Sequence, residues 1–518
     1  MFDRVNNAPY WLMIAWGVIG WVKIITNQLP LLFLHESVGY GDSYIWGSVE
    51  SFRRSGVLYP ALTAEHPVPT LYSPALYLMH ALAWAALPAA NPYIGPRLFE
   101  LAWFLICILA TALLSRALVA RRKAFPLALL LAGSFATMTP WLLQLRSDFP
   151  GIACSLFAMY FLLSGGWKRA VLAGICAGLA TQFKITFAAA AVAGVLWLLL
   201  YKSWSRLVGF VVATGICSIG IYLLFMWRES QMAANIFMMS RVIPHLHGVV
   251  VFIRQTLAEP VFLLGIATLL TMLIPLLAHP RPRWQLLAIF TAVSLAISAA
   301  TSLQAGANIN YFYEGMFAAT PFAVFGMMRL QAMRSPLVSM FLSLLLLTFF
   351  ILPQVSRTIY GVRHVVGEVA RRNQQYDGLR AALAGLDFLS TIPDVTILGK
   401  ERIITDSALL NYRVLTTGAD LSALEQRVSN QEFAVIVTLP GDDMWRGMPM
   451  LPRELRKVIM EAYRPYCVLG NELFHIPAGK TGNVGERLMN IGCVVTACRG
   501  DAKCPGLGIQ VEGFESTP

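Results

Sequence analysis

The sequence predicts a polytopic α-helical membrane protein with a small α/β domain at its C-terminal end, and three observations predict it. Hydrophobic residues make up 57% of the 518 and charged residues only 13%, where a soluble globular domain carries about 25% charged residues. Apolar runs of spanning length recur as far as residue 353. Beyond about residue 354 the charge content becomes ordinary and the apolar runs shorten. The shortage of charge implies lipid as the solvent for most of the chain. A net charge of +12 would suggest nucleic acid in a soluble protein. In a chain this apolar it reports basic cytoplasmic loops and contact with anionic membrane lipids, so no nucleic-acid partner is expected.

A spanning helix needs about 20 mainly apolar residues. The stretches 10–34, 99–119, 125–143, 149–163, 170–183 and 185–201 qualify or nearly so, followed by 207–227, 261–278, 284–303, 315–330 and 337–353. That makes about eleven transmembrane helices. The first is too long for the apolar region of a signal peptide, and no small-residue cleavage site follows it cleanly. A further stretch, 72–90, reads as an interfacial helix. On that reading Arg121-Arg122-Lys123, Lys168-Arg169, Lys202 with Arg206, Arg281 with Arg283, and Arg329 with Arg334 all share the face of the N-terminus. Counting it as a span would move the first cluster to the other face from Arg4, against the positive-inside rule. The N-terminus is then cytoplasmic, residues 35–98 form a large first outer loop, and the domain 354–518 follows an odd number of spans and lies outside. The stretch 170–201 reads as two short helices meeting near Lys184, at the outer boundary.

In the C-terminal domain 395–398, 433–439 and 467–469 read as strands, and 376–389, 422–429 and 452–462 as helices, an α/β alternation. Cys467, Cys493, Cys498 and Cys504 fall there. An even number in an exported domain points to disulfides whose pairing the sequence leaves open. Cys107, Cys154, Cys176 and Cys217 lie in apolar segments, where a thiol is a small hydrophobe.

Ionisable groups near membrane depth are costly and by default suggest function. Most gather on the outer side: Glu36, Asp42 and Glu50; Arg146 with Asp148; Lys184; Arg241, His245 and His247; and Asn308, Asn310, Tyr311 and Glu314. Asp42, in Gly39-Tyr40-Gly41-Asp42-Ser43-Tyr44, is placed where a carboxylate can accept a proton from a hydroxyl at the headgroup boundary. By residue type alone, a loop or N-cap aspartate is the simpler reading. Glu50 reads as a solvated helix-face charge. Arg146-Ser147-Asp148-Phe149-Pro150 reads as a helix start. Lys184 and Arg241 suit phosphate, by point charge and planar fork respectively, although Lys184 also fits snorkelling to headgroups. His245 and His247 lack a carboxylate cluster and give no metal site. Lys23, deep in the first span, has no partner legible in the sequence.

Taken in order, Asp42-Ser43-Tyr44, Gly56-Val57-Leu58-Tyr59-Pro60 and Tyr72-Ser73-Pro74-Ala75-Leu76-Tyr77 resemble the first outer loop of bacterial and archaeal GT-C superfamily glycosyltransferases. There an acidic residue follows the first span, and Gly-x-x-Tyr and Tyr-x-Pro-x-x-Tyr elements follow it. Ser147-Asp148-Phe149-Pro150, Gly174-x-x-x-Gly178-Leu179-Ala180 with Lys184, and the run Gly306 to Glu314 are similar to further features of the family. The resemblance covers residues 10–353. It implies an enzyme that moves a sugar from a polyprenyl-phosphate donor to an extracytoplasmic glycan, lipid or protein acceptor, with inversion at the anomeric carbon. It also implies Asp42 as the base and Lys184 and Arg241 as donor-phosphate ligands. Glu36, Arg146, Asp148, His245, Asn308, Asn310, Tyr311 and Glu314 would line the cavity. Cations can stabilise a phosphate leaving group without a metal; some members use a divalent cation, for which this chain shows no clear ligand set. The Asp-Glu pair and His-Pro-Pro pattern of the protein O-mannosyltransferases are missing, which leaves the acceptor open.

Two other functions use similar groups. A transporter or flippase of a lipid-linked sugar also needs an outer cavity and cations, but the inverted repeats common in transporters are not evident. A non-catalytic membrane scaffold would have no requirement for Asp42. Topology reporters fused after Ser164 and after Ala278 are expected to read cytoplasm, and one fused after Tyr360 the exterior. A cytoplasmic signal at Tyr360 would overturn the parity argument.

Overall fold

The computed structural model describes residues 7–63, 68–87, 91–137, 142–237, 246–303, 308–332, 335–391, 395, 407–438, 444–445, 448–449, 451–469, 472–479 and 482–495. The chain divides into two compact units: Met1–Leu58 with Leu71–Arg372, and Tyr59–Thr70 with Asn373–Pro518.

The first unit is helical. In chain order it holds α1 (Ala8–Lys23), α2 (Tyr40–Ser55), α3 (Pro74–Ala86), α4 (Ile94–Val119), α5 (Ala124–Gly133), α6 (Asp148–Leu163), α7 (Trp167–Phe183) and α8 (Ala189–Leu200). Then follow α9 (Trp204–Gly215), α10 (Ile221–Arg228), α11 (Met232–Phe237), α12 (Leu246–Leu257), α13 (Pro260–Ala278), α14 (Pro282–Thr301), α15 (Tyr313–Gln331), α16 (Pro336–Leu345) and α17 (Leu352–Leu383). Prolines at the first turns of α13, α14 and α16 sit where a missing N–H costs no helical bond.

Among the described residues six helical stretches are long and apolar enough to cross a membrane, including Ile94–Val119, Trp204–Arg228 and Pro282–Thr301. Ala124–Thr137, Asp148–Leu163 and Ala189–Leu200 are shorter apolar helices. The expected spans fall largely on helix, but of about eleven only six are of spanning length among the described residues; of 125–143, residues 138–141 lie outside the described residues and 142–143 are not helical. Large apolar side chains such as Trp227, Ile274 and Leu337 face outward, as lipid-facing side chains do when backbone groups are satisfied within each helix. The protein is thus a polytopic α-helical membrane protein. The stretch expected to lie at the interface forms α3, 13 residues long and so about 20 Å, short of a bilayer core.

Small residues set the closest helix contacts. A Cβ on Gly174 would stand 2.3 Å from the Phe210 carbonyl oxygen, and one on Gly178 2.7 Å from that of Thr214. These glycines let α7 and α9 meet backbone to backbone, the device by which membrane helices gain packing energy without a hydrophobic effect between them.

The first span is not one regular helix. After Lys23 it passes into a π turn, Ile24–Gln28, and a 3₁₀ turn, Leu29–Phe33. Lys23 finds a partner that the sequence did not show: its Nζ donates to the Thr137 carbonyl at 2.7 Å. Near it Glu259 Oε1 accepts from Trp16 Nε1 at 2.7 Å and Ser134 Oγ at 2.9 Å. The last span does not stop at residue 353. Helix continues from Pro336 to Leu383, through Pro353, Gly361, Gly367 and Gly378.

The second unit adds β1 (Phe388–Ser390), α18 (Ser407–Thr417), α19 (Ser422–Ser429), β2 (Val435–Thr438), β3 (Met444–Trp445), β4 (Met448–Pro449), α20 (Arg453–Ala462), β5 (Tyr463–Leu469), β6 (Glu472–Pro477), α21 (Gly482–Asn490) and β7 (Val494–Val495). Five strands form one sheet in the order β1-β2-β6-β5-β7. β1 runs parallel to β2 and the other pairs are antiparallel. Val435, Val437 and Phe474 pack with Leu379, Leu383 and Leu488. Ile436 points the other way and packs with Leu424, Val428, Leu455 and Ile459. The period-2 alternation of β2 thus gives the sheet a helical layer on each face, the α/β unit expected.

One element differs from the sequence reading. The helix expected over 376–389 ends at Leu383, since Gly385 takes φ +74°, a left-handed stop, and Phe388–Ser390 becomes the parallel edge strand. Of the strand expected at 395–398 only Val395 lies among the described residues. Cys467 and Cys493 are joined, fixing β5 to the segment after α21; Cys498 and Cys504 lie outside the described residues. Closing a 26-residue separation restricts the unfolded chain by about 3.5 kcal/mol in the chain-entropy account. In denaturant without reductant, Cys467 and Cys493 are expected to resist alkylation, and to label fully once reductant is added. Full labelling of both without reductant would exclude the bridge.

Candidate active site

The segment Leu142–Ser147, just before α6, is not helical, so its amides lack the partners that a helix supplies. Carboxylates replace them. Asp42, in the first turn of α2, accepts from Leu145 N at 2.8 Å through Oδ1 and from Val38 N at 2.9 Å through Oδ2. Glu100, one turn into α4, accepts from Arg146 N at 3.0 Å. His80 of α3 places Nε2 3.2 Å from the same Glu100 oxygen. Asp42, His80 and Glu100 have no solvent exposure.

This clamp presents a charged cluster at the ends of three helical segments. Asp148 opens α6, where the helix dipole favours negative charge. Lys184 caps the C-terminal end of α7. Asn310 and Tyr311 lie in the 3₁₀ turn Ile309–Phe312 that leads into α15. Lys184 Nζ stands 3.6 Å from Asp148 Oδ1 and 3.6 Å from the centre of the Tyr311 ring. Asn310 Nδ2 donates to Asp148 Oδ2 at 2.7 Å. Arg146 brings Nη1 to 3.9 Å from the same oxygen, while its Nε donates to Gln144. Burial opposes the charge of Lys184, but Tyr311, Asp148 and Tyr72 outweigh it and lift its pKa above the ordinary value. Tyr72 is half-buried beside the cluster. Burial raises its hydroxyl pKa against the pull of Lys184 and Arg146, so it stays a protonated donor. Tyr77 Oη accepts from Tyr72 N at 3.2 Å, and Tyr44 Oη from Leu71 N at 2.9 Å; these two tyrosines fix the backbone on which Tyr72 sits.

The structure therefore brings Arg146, Asp148, Lys184, Asn310 and Tyr311 together, with Asp42 of α2 bonded to the segment that carries Arg146. Glu36, Glu50, Asn308 and Glu314 are held by other partners. Glu36 pairs with Arg372. Glu50 pairs with Arg53 at 2.7 Å and Arg54 at 2.8 Å along its own helix, the face charge expected. Asn308 accepts from Ile309 N at 2.8 Å as a local cap. Glu314 is buried, and its Oε2 accepts from Ser294 Oγ at 2.8 Å. Arg241 and His245 lie outside the described residues, as does the side chain of His247. Among the described residues no three His, Cys, Asp or Glu side chains converge to hold a metal ion.

Glu100, His80 and Gln144 were missed. Glu100 carried the signal that should have found it: it is a lone carboxylate opening an apolar run of spanning length.

The fold is similar to those of solved structures of other proteins. ArnT from Cupriavidus metallidurans in the apo state superposes with a TM-score of 0.58 at 12% identity, covering 88% of this chain and 97% of that one. The same protein bound to undecaprenyl phosphate gives 0.58 at 12% identity, covering 90% and 98%. The apo oligosaccharyltransferase of Archaeoglobus fulgidus gives 0.51 at 12% identity, covering 89% and 73%. At this identity the likeness is one of fold. No family model and no curated protein matches the sequence.

The Lys184–Asp148 pair is buried and is completed by Asn310. Removing one partner of such a pair costs about 3–5 kcal/mol, because the other is left charged in a poor solvent. Asp148→Asn is expected to lower the unfolding midpoint in detergent. Adding Lys184→Gln should recover part of the loss, a coupling visible in a double-mutant cycle. Strict additivity of the two changes would show that the pair does not interact.

Proposed function

We propose that this protein is a membrane glycosyltransferase that takes a hexose or pentose from a polyprenyl-phosphate donor and passes it to a hydroxyl of a glycan, lipid or protein acceptor. One observation carries the reading. A lysine, an arginine and a ring face meet a carboxylate at the ends of three helical segments, in a fold shared with an enzyme solved with undecaprenyl phosphate bound. In this proposal the cluster and the C-terminal unit lie on the extracytoplasmic side of the inner or plasma membrane, as the distribution of basic loops requires.

The step follows from the charges. The acceptor oxygen attacks the anomeric carbon from the face opposite the phosphate, the bond to the phosphate oxygen breaks, and its electron pair leaves with polyprenyl phosphate. Lys184, with Arg146 beside it, stabilises the charge that develops on that oxygen. Asp148 and Asn310 hold Lys184 in place for that task. Asp42 takes the proton of the acceptor hydroxyl. The hydrogen bonds of Asp42 to Val38 and Leu145 give it a second task, since they fix the segment that carries Arg146 and Asp148.

The test must separate those tasks. Comparison of glycolipids and glycans from wild-type and deletion strains by mass spectrometry identifies the missing sugar, and purified protein is then assayed with that donor. General-base catalysis contributes about 10²–10⁴-fold. Asp42→Asn is expected to cut turnover by that range while retaining undecaprenyl phosphate, with Glu36→Gln and Glu50→Gln near normal. Lys184→Gln should lose undecaprenyl phosphate. Near-normal turnover in Asp42→Asn with loss in Glu36→Gln would move the base to Glu36. Normal turnover in all three would remove the base from the first loop. Unchanged glycans and glycolipids in the deletion strain, together with movement of a lipid-linked sugar across vesicles, would favour a flippase.

A further inference from the structure

We infer that the end of the bundle opposite the candidate active site holds a specific site for the phosphate headgroup of an anionic phospholipid. A cavity of about 340 Å³ opens there, and Trp197, Tyr201, Ser203, Arg206 and Arg283 are among the residues lining it. Leu162 and Leu163, also in its wall, end the helix that Asp148 begins. Sixteen residues of α6 separate the two by about 24 Å, so the cavity belongs to the other membrane face.

Three features select the occupant. The first is charge. The segments that form this end, 116–124, 163–169, 200–206 and 278–284, contain ten lysines and arginines and no aspartate or glutamate. The second is geometry. Arg206 is anchored by Nη2 to the Leu162 carbonyl at 2.9 Å, with its guanidinium 5.2 Å from the Trp197 ring. Its Nε is buried without a partner among the described residues. Among the described residues Arg283 makes one long contact, 3.4 Å, to the Ala117 carbonyl. Two guanidinium groups with unused donors and, among the described residues, no counter-carboxylate suit the oxygens of a phosphodiester. The third is depth. Trp167 and Trp204 are exposed beside the cavity, where aromatic side chains mark the headgroup level. Leu199, Leu200 and Val208 are exposed on the neighbouring helices and offer acyl chains an apolar surface. Basic pockets between helices at this level bind anionic headgroups in membrane proteins generally. A lipid here would join α6, α8, α9 and the start of α14, and α6 carries Asp148 at its far end.

The site is tested without reference to turnover, so its failure would leave the proposed transferase untouched. Purified full-length protein is exchanged into mixed micelles of phosphatidylglycerol and phosphatidylcholine, and retained lipid is read by native mass spectrometry. Wild type is expected to keep phosphatidylglycerol preferentially. Each basic side chain near a membrane surface is worth about a five-fold change in binding, so Arg283→Gln should lower the preference about five-fold and Arg206→Gln with Arg283→Gln further. Arg122→Gln removes the same charge at the same end but outside the cavity, and should change little. Arg206→Lys keeps the charge while losing the fork, and should fall between. Equal retention of both lipids by wild type would overturn the proposal, and so would an equal loss in Arg122→Gln, which would show diffuse attraction only. Stabilisation by inorganic phosphate matching that by phosphatidylglycerol would replace the lipid with a small-ion site.

Discussion

Backbone amides that leave helical geometry at membrane depth must still find acceptors, because lipid supplies none. The break between α5 and α6 puts that demand on Leu145 and Arg146, and two buried carboxylates meet it. Most of the candidate site follows from this arrangement. Asp42 comes from the helix after the first span and Glu100 from the second span, so the clamp ties three separate parts of the sequence to one short segment. That segment in turn sets the start of α6 and the direction of Arg146 and Asp148. A neutral acceptor in place of either carboxylate would still bond one amide, but would lose the stronger charge-assisted bond.

Carboxylates gathered in this way create a second requirement. Asp42 and Asp148 bring carboxylates into a region with little water, and Lys184 and Arg146 are cations beside Asp148. The cations are there to balance charge, and the same balance makes the site suited to a phosphate. A donor phosphate approaching Lys184 adds negative charge where the tyrosine ring, the lysine and the arginine already favour it. Asn310 competes for neither cation; it donates to Asp148 and so leaves the lysine directed by geometry as well as by charge. In the proposed reaction, structural neutralisation and catalytic stabilisation are the same interactions at two stages.

What the sequence made legible follows the range of each signal. Spans were readable because apolar length is local, and the α/β unit because its alternation is local. Among site residues, Arg146, Asp148, Lys184, Asn310 and Tyr311 were named because each is a polar residue at the end of an apolar run, and the structure does bring them together. Glu36, Asn308 and Glu314 fit the same rule, yet Glu36 and Glu314 are occupied by partners that only tertiary structure supplies, Arg372 and Ser294, and Asn308 caps its own following amide. Nothing in a single sequence ranks two such carboxylates by their future neighbours. Glu100 fell on the other side of that limit, since a carboxylate at the start of a strong apolar run looks like an end-of-helix charge. The helix stop at Gly385 was legible in principle. It was overridden by the apolar spacing that continues to Leu389, which belongs to the strand beyond it.

The two ends of the helical unit divide their chemistry in a way that the fold explains. At the end where α6 begins, non-helical backbone requires acceptors, and carboxylates accumulate. At the end where α6 stops, the connections between α6 and α7, between α8 and α9 and between α13 and α14 are short and need no such repair, so only cations remain. An excess of cations at one membrane face orients the chain, and the carboxylate clamp at the other face gives that orientation a chemical consequence. The polar site and the basic end are therefore linked by a constraint on backbone hydrogen bonding. The helices between them, α6 above all, carry that link in their length, since a helix that begins at the clamp must end among the arginines.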